Sequence, residues 1–318
     1  MERHCLLCYK PLERGEADSH PRCTRKMFGT ALAPILPYDE RQLEKLAEGM
    51  IRRQVTVSGV EPKICLNLEK DGRGSKFQRF SIADLRGGYI LKPPAGSFSR
   101  LPLIEDLTMH MAESVRIDTV PHCLIRMQSG SLAYLTRRID RSKSGKVHME
   151  DMCQITGRLT GDKYNGSYEQ IALAIDRHSA NPGLDVIKFF EMVVFCFLCG
   201  NADMHLKNFS LVDSPERGGI SLAPAYGMVS TALVDPQNND ELALTLNGKK
   251  KGITQDDFRQ AFDSLSVNEK VRERMFRKFQ EAVPLWERLI DSSFLDNAMQ
   301  NTYKELIRKK SYQLRLFS

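Results

Sequence analysis

The stretch "NADMHLKNFS", residues 201–210, sets Asp203 and Asn208 at the spacing D-x-x-x-x-N. In a phosphoryl-transfer site that spacing lets a carboxylate face an acceptor hydroxyl while an amide oxygen binds Mg²⁺. The stretch follows directly on "VIKFFEMVVFCFLCG", residues 186–200, whose apolar content predicts a buried helix. A loop held at the edge of a core has the fixed geometry that a catalytic acid or base needs. The same two side chains also suit turn hydrogen bonds, so the spacing alone leaves both readings open.

Upstream residues supply what such a site would need for a triphosphate. "VTVSGVEPK", residues 55–63, lies between strand-like segments and offers the small-residue turn Ser58-Gly59-Val60, whose backbone N–H groups could cradle phosphates, with Lys63 adding charge. It is not a Walker motif, and a hairpin turn is the ordinary alternative. Lys92 ends the strand-like "GGYILKP", from which a lysine can reach nucleotide phosphates, and Glu105 on the following helix is its candidate partner. The order of the signals carries more weight than any one of them: turn, strand lysine, helix acid, then D-x-x-x-x-N behind a buried helix.

The elements that must position these residues are readable from periodicity. "DERQLEKLAEGMIRR", residues 39–53, places Leu43, Leu46, Ala47, Met50 and Ile51 at helical spacing behind an Asp39 cap. From 54 to 93 the period becomes strand-like, with β-branched and aromatic residues between glycines, which predicts an antiparallel sheet. A helix over about 102–115 and two strands, "HCLIRM" and "SLAYLTRRI", complete a first lobe. Beyond residue 147 the pattern is helical, beginning with "MEDMCQITGRL" and interrupted only by short strands in "NFSLVD" and "GISLAP". The fold class expected is α+β, with an antiparallel-sheet N-lobe and a mainly helical C-lobe. The boundaries expected are a Cys-containing segment at 1–38 packing on the core, the N-lobe at 39–140 and the C-lobe at 141–318.

Composition narrows the class. At 318 residues and 42% hydrophobic content the chain can bury two cores, and its net charge of +6 comes from scattered bases interleaved with acids. That balance attracts phosphates without predicting direct nucleic-acid binding. No apolar run is long enough for a membrane span or a secretory leader, so a cytoplasmic protein with no membrane partner is expected, its eight cysteines mostly reduced.

Four cysteine and histidine positions form a separate pattern. Cys5, Cys8, His20 and Cys23 read C-x2-C-x11-H-x2-C, a ligand set suited to tetrahedral Zn²⁺, although Leu6 and Leu7 also suit plain packing. Cys196 and Cys199 share the C-x2-C spacing but sit in the apolar helix, where core packing is the reading. His110, His122, His148 and His178 carry no partner signal.

"VSGVEPK", "YILKP", "LTRRIDR", "HMEDMCQITG", "KYNGSYEQ", "GNADMHLKNFSL" and "ISLAPAYGMVS" together resemble, in order and spacing, the motifs of the HipA-like serine/threonine kinases of bacterial toxin–antitoxin modules. The resemblance runs from near residue 4 to the C-terminal helices. It implies a two-lobed protein-kinase-like fold that uses ATP and Mg²⁺. Residues Ser58, Gly59, Val60, Glu61, Pro62 and Lys63 would form the phosphate loop, and Lys92 would bind phosphate. Arg137, Arg138 and Ile139 would be the adenine-contacting linker, and Asp203 the catalytic base. His205, Leu206, Lys207 and Asn208 would line the ATP site, Asn208 also binding Mg²⁺, with Tyr226 and position 227 closing it. Thr56 and Ser58 match loop hydroxyls that relatives autophosphorylate; the added charge of about −1.5 to −2 would repel nucleotide or pull the loop outward.

The likeness also implies partners: a protein substrate such as an aminoacyl-tRNA synthetase, and an antitoxin with a DNA-binding domain. The chain begins almost at the kinase core, as in the shorter HipT-like form, for which a small N-terminal-subdomain-like protein can be a separate polypeptide. Two departures stand out. The relatives' linker E-R-F-D-R is here Arg137-Arg138-Ile139-Asp140-Arg141. More seriously, Gly227 stands where the family has the aspartate that is the principal Mg²⁺ ligand. Losing that ligand removes several kcal/mol of transition-state charge stabilisation, so this chain is expected to be inactive or nearly so. It is either a disabled form of an active kinase or a natural nucleotide-binding pseudokinase that binds an antitoxin.

Overall fold

The structure is a computed structural model and describes residues 3–52, 63–72, 75–96, 99–142 and 145–317. Thr56, expected to be autophosphorylated, and positions 58–62 of the expected phosphate loop lie outside the described residues, as does the strand expected over 54–59. The chain divides into two compact units. One comprises Met1–Leu107, Val120–Arg141 and Ser292–Leu295; the other comprises Thr108–Thr119, Ser142–Asp291 and Asp296–Ser318.

The first unit is built on a five-stranded antiparallel sheet. Helices α1 (Pro21–Phe28) and α2 (Glu40–Arg52) precede β1 (Ile64–Lys70), β2 (Gln78–Ile82) and β3 (Tyr89–Lys92); after α3 (Leu101–Ser114) come β4 (His122–Arg126) and β5 (Leu132–Arg137). Spatial order is β2-β1-β3-β5-β4. Strand alternation gives the sheet two faces. Leu91, Leu135 and Cys123 share one face and join Ile64, Leu66, Phe80, Met27 and Phe28 in a buried core, with Phe80 and Tyr89 ring centroids 5.3 Å apart. Lys92 lies opposite Tyr134 in the register, and Tyr134 opposite Leu124, so all three share the other face.

Helix α2 starts where the Asp39 cap predicts: the Gln42 N–H donates to Asp39 Oδ1 (2.8 Å) and the Asp39 N–H to Gln42 Oε1 (2.9 Å). Leu43 is fully buried, whereas Leu46 is 40% exposed. Helix α1 was not expected from periodicity; it starts with proline at its first position and ends at Gly29 with φ 76°.

In the second unit, a two-residue pair β6 (Arg141–Ser142) and β7 (Gly145–Lys146) leads into β8 (Met149–Asp151) and α4 (Met152–Ile155). The expected helix over 149–159 is thus corrected to a strand and a single helical turn. Asp151 is the reason: its side chain accepts the Gln154 N–H and its backbone N–H donates to Gln154 Oε1, so the helix begins only after it. Met149–Asp151 instead pair with β9 (Ser210–Ser214), which pairs with β10 (Gly219–Leu222).

Helices α5 (Tyr168–His178), α6 (Pro182–Leu198), the short α7 (Thr231–Val234), α8 (Gln255–Ser264), α9 (Glu269–Asp291) and α10 (Asn297–Gln313) complete this unit. From Met192 to Leu198 every residue of α6 is buried, the signature of a helix apolar on all sides. Phe195 packs edge-on against Trp286 of α9 at 5.5 Å, and Phe190 against Phe262 of α8 at 4.9 Å. Each such ring contributes roughly 1.5–3 kcal/mol by leaving water. Cys196 and Cys199 are fully buried, and burial pushes both thiols up, as core packing requires.

Candidate active site

The buried helix α6 ends so as to fix the loop that follows. Gly200 has φ 68°, and a Cβ there would lie 2.8 Å from Leu306 Cδ2 and 3.0 Å from Ala232 Cβ, so only glycine fits. The Asn201 N–H caps back to the Cys196 carbonyl (2.8 Å), and the Ala202 N–H donates to Thr231 Oγ1 (2.8 Å). The Asp203 N–H donates to Asn201 Oδ1 (3.1 Å), and its carbonyl accepts the His205 N–H (2.8 Å) and Asn208 Nδ2 (2.6 Å). Both backbone groups of Asp203 are therefore tied down.

The Asn208 contact also decides its chemistry. A carbonyl only accepts, so the atom facing Asp203 is the amide nitrogen, and Oδ1 is the oxygen left to bind a cation. The D-x-x-x-x-N spacing thus both folds the loop and presents a donor oxygen; the two readings of the spacing are compatible.

Asp203 keeps its side chain 47% exposed. Its Oδ1 accepts the Tyr164 hydroxyl at 2.5 Å, a bond that does not engage Oδ2. Burial and the neighbouring carboxylate hold the Tyr164 phenol far above its ordinary range, so it remains a donor. The Tyr164 ring meets His205 edge-on at 4.9 Å. His205 is buried, its Nδ1 without a hydrogen-bond partner among the described residues, and desolvation lowers its pKa despite the Asp203 charge. Lys207 Nζ is held by Asp151 Oδ2 at 2.6 Å, and Leu206 is fully buried, so its side chain belongs to the core. The Tyr226 hydroxyl donates to the Lys207 carbonyl (3.1 Å) and so accepts from Ser210 Oγ (2.6 Å), pinning the end of the loop.

Gly227 has φ 65°, and an added Cβ meets no heavy atom within 4 Å. There is room for a side chain, but none is present. A Mg²⁺ held by the family's aspartate does not fit this donor set, because the expected carboxylate is missing and Asn208 Oδ1 remains as the amide donor.

In the sheet unit, Lys92 Nζ is bidentate on Glu105, 2.6 Å from Oε1 and 2.7 Å from Oε2, with side chains 13% and 2% exposed. An ammonium has three N–H donors; two serve Glu105 and a third is not used by that pair. The Lys92 cation also lies 5.5 Å above the Tyr134 ring. Next along α3, Asp106 accepts the Tyr9 hydroxyl (2.9 Å) and meets His122 Nδ1 (2.7 Å), giving His122 a buried partner that its sequence context did not signal. Lys63 is half-buried just ahead of β1.

The expected adenine linker is only partly available. The Arg137 N–H donates to the Pro121 carbonyl and the Arg138 N–H to that of Gly88, both at 2.9 Å, and the Arg138 guanidinium is bound by Asp140 and the Leu85 carbonyl. Ile139 is half-buried. Cys5, Cys8, His20 and Cys23 are brought together, their ligand atoms within 4.8 Å of one another.

Sequence reasoning overlooked Tyr164 and Asp151. Asp151 was detectable from its D-x-x-Q capping box. Tyr164 lies inside "KYNGSYEQ", but its pairing with Asp203 spans 39 residues and has no local signature.

An antiparallel sheet unit with a buried lysine–glutamate pair and a helical unit with an anchored D-x-x-x-x-N loop define a protein-kinase-like fold. Solved structures share it, two of them as follows. HipA of Shewanella oneidensis MR-1, solved with HipB and its operator DNA, matches at TM-score 0.66 and 20% identity, over 84% of this chain and 70% of that one. The Helicobacter pylori proinflammatory kinase CtkA matches at 0.52 and 14%, over 71% and 84%. The sequence model of the HipA-like C-terminal domain matches residues 55–286, and the chain belongs to that family. A Haemophilus influenzae protein named "Putative kinase" is 28% identical over 271 residues, 78% of this chain and 74% of that protein. "Putative kinase Y4dM" of Sinorhizobium fredii is 32% identical over 252 residues, and the match covers 74% of this chain but 59% of Y4dM. Among the described residues no helix is long and apolar enough to cross a membrane.

Proposed function

We propose that this chain has the architecture of an ATP-dependent serine/threonine protein kinase, of the HipA/HipT toxin type, and that Gly227 leaves it inactive or nearly so. The observation that carries the reading is the Lys92–Glu105 pair: a bidentate ion pair, almost fully buried, with a third ammonium N–H that the pair does not use. A buried pair is costly to maintain, and phosphate recognition is the function that repays it. Lys92 and the segment from Ser58 to Lys63 would hold the nucleotide phosphates. Asp203 Oδ2 would orient an acceptor hydroxyl and take its proton while Tyr164 holds Oδ1. Asn208 Oδ1 alone replaces the family's aspartate toward a cation, which is why Gly227 is proposed to leave transfer slow or absent.

The acceptor on this reading is a seryl or threonyl hydroxyl of a cytoplasmic protein, with an aminoacyl-tRNA synthetase as the family's precedent. An antitoxin carrying a DNA-binding domain is the proposed partner, supported by the HipA structure solved with HipB and operator DNA. Gly227 also supports a second reading, a natural pseudokinase that binds nucleotide and an antitoxin without transferring phosphate. Mass spectrometry of Gly227→Asp protein given ATP and Mg²⁺ separates them. Phosphate incorporation that disappears in Gly227→Asp/Asp203→Asn supports the kinase; a folded, ATP-binding Gly227→Asp chain with none supports the pseudokinase.

A further inference from the structure

We infer that Cys5, Cys8, His20 and Cys23 form a structural zinc site, and that its metal holds the N-terminal segment that clamps helix α3 beside Glu105.

The ligand atoms are already spaced for one tetrahedral ion. Zn–S bonds of about 2.3 Å and a Zn–N bond of about 2.0–2.1 Å at tetrahedral angles require S···N edges of about 3.5–3.6 Å. His20 Nδ1 lies 3.5 Å from Cys8 Sγ and 3.7 Å from Cys23 Sγ, and all four ligand atoms fall within 4.8 Å of one another. All four residues are buried or half-buried, and the three cysteines are free thiols. Four protein ligands leave no open coordination position, which marks a structural rather than a catalytic ion.

The surrounding backbone is shaped to the same end. Residues 5–10 form a tight knuckle: the Cys8 and Tyr9 N–H groups both point back to the Cys5 carbonyl (3.4 and 2.9 Å), and the Cys5 N–H donates to the Lys10 carbonyl (2.9 Å). Tyr9 takes φ 58°, a left-handed conformation uncommon for a bulky residue. The Leu7 N–H donates to Cys5 Sγ (3.4 Å), through backbone already fixed by the turn. His20 Nε2 lies 3.0 Å from the Pro11 carbonyl. A carbonyl accepts only, so Nε2 carries the proton and Nδ1 presents its lone pair to the sulfurs, the outer-shell arrangement of a metal-bound histidine. Cys23 sits in the first turn of α1, so the helix fixes its position relative to His20. On metal entry the thiols release their protons to solvent and the imidazole binds neutral.

What the metal would hold is equally specific. The Leu6 carbonyl accepts the Leu124 N–H (3.1 Å) on edge strand β4, and Asp18 pairs with Arg126 of the same strand (2.7 Å). The fully buried Tyr9 hydroxyl binds Asp106, next to Glu105 in α3. Between Tyr9 and His20 no apolar residue is buried, so a metal supplies the cohesion that this loop lacks.

The test is metal analysis of the full chain, purified without chelator or metal-affinity resin from zinc-supplemented cells. One zinc per chain is expected, falling at least fivefold in Cys8→Ser and in Cys23→Ser. Cobalt exchanged into the protein should give the visible bands of a tetrahedral thiolate site. Tyr9→Phe should keep its zinc, while both it and chelator-treated wild type show faster amide hydrogen exchange over residues 101–107. A folded wild-type chain with less than a tenth of an equivalent of zinc and no cobalt thiolate bands overturns the site, as does a disulfide among these cysteines. Chelation that removes zinc without changing exchange over 101–107 overturns the clamp. Neither readout depends on kinase activity.

Discussion

Gly227→Asp is the most informative perturbation. The position has φ 65°, and a Cβ built there meets nothing within 4 Å, so the cost is conformational rather than steric. A left-handed L-residue costs roughly 1–2 kcal/mol, with aspartate among the least penalised; a loss near 1 kcal/mol lowers the melting temperature by about 2–4 °C. Against that stands one carboxylate returned to a cation site that otherwise has Asn208 Oδ1. A single preorganised electrostatic contact is worth about 10²–10³ in rate, or ~2.7–4 kcal/mol, so phosphate transfer should rise at least about a hundredfold. The assay is transfer from γ-labelled ATP to the chain itself, with Gly227→Asn as a control that matches backbone tolerance but lacks charge. If Gly227→Asp melts within a few degrees of wild type, binds ATP and still transfers no more phosphate than the glycine form, the missing-ligand reasoning is refuted.

Three further outcomes follow from the loop and its supports. Gly200→Ala adds left-handed strain to the contacts with Leu306 and Ala232 and should cost about 2–5 kcal/mol in urea unfolding; a cost below about 1 kcal/mol would mean that the loop anchor relaxes freely. Asp151→Ala loses both a helix cap and the Lys207 ion pair, about 2–4 kcal/mol, whereas Asp151→Asn keeps the cap and should cost about half as much; equal costs would contradict this division. His205 is held below the ordinary 6.5 by burial, so the unfolded chain binds more protons than the native one as pH falls through 6.5. Stability should therefore decline from pH 6.5 downward until the folded-state pKa is passed, more steeply in wild type than in His205→Gln; identical slopes would contradict the burial argument.

The sheet strands and α6 were legible because their signals are local: period-two alternation between glycines, and an apolar run longer than a strand. Asp39 marked the start of α2 for the same reason, its capping partner lying three residues away. The helix expected over 149–159 is replaced because apolar content ignores the Asp151 cap, which starts the helix only after it, while Met149–Asp151 pair with β9. Pro284 lies inside α9, which continues to Asp291 where proline would ordinarily end it; the helix is held by buried residues on both sides, Val283 and Trp286 among them. At the site, Asp203 and Asn208 were legible as types and spacing, and Glu105 as a partner for Lys92. Tyr164 on Asp203, Tyr9 on Asp106 and His122 on Asp106 were not, because each joins residues whose meeting depends on the fold rather than on neighbouring sequence.

The proposed recognition of ATP through Lys92 is open to a direct measurement. Isothermal titration calorimetry of the unaltered chain with ATP tests it, using Lys92→Met/Glu105→Gln so that no buried carboxylate is left without its cation. A charge-assisted hydrogen bond of about 1.5–3 kcal/mol to a phosphate oxygen predicts affinity weakened by about ten- to hundredfold in the double variant. Equal affinity in both proteins, or a folded wild-type chain that gives no heat of binding with ATP, would contradict the account.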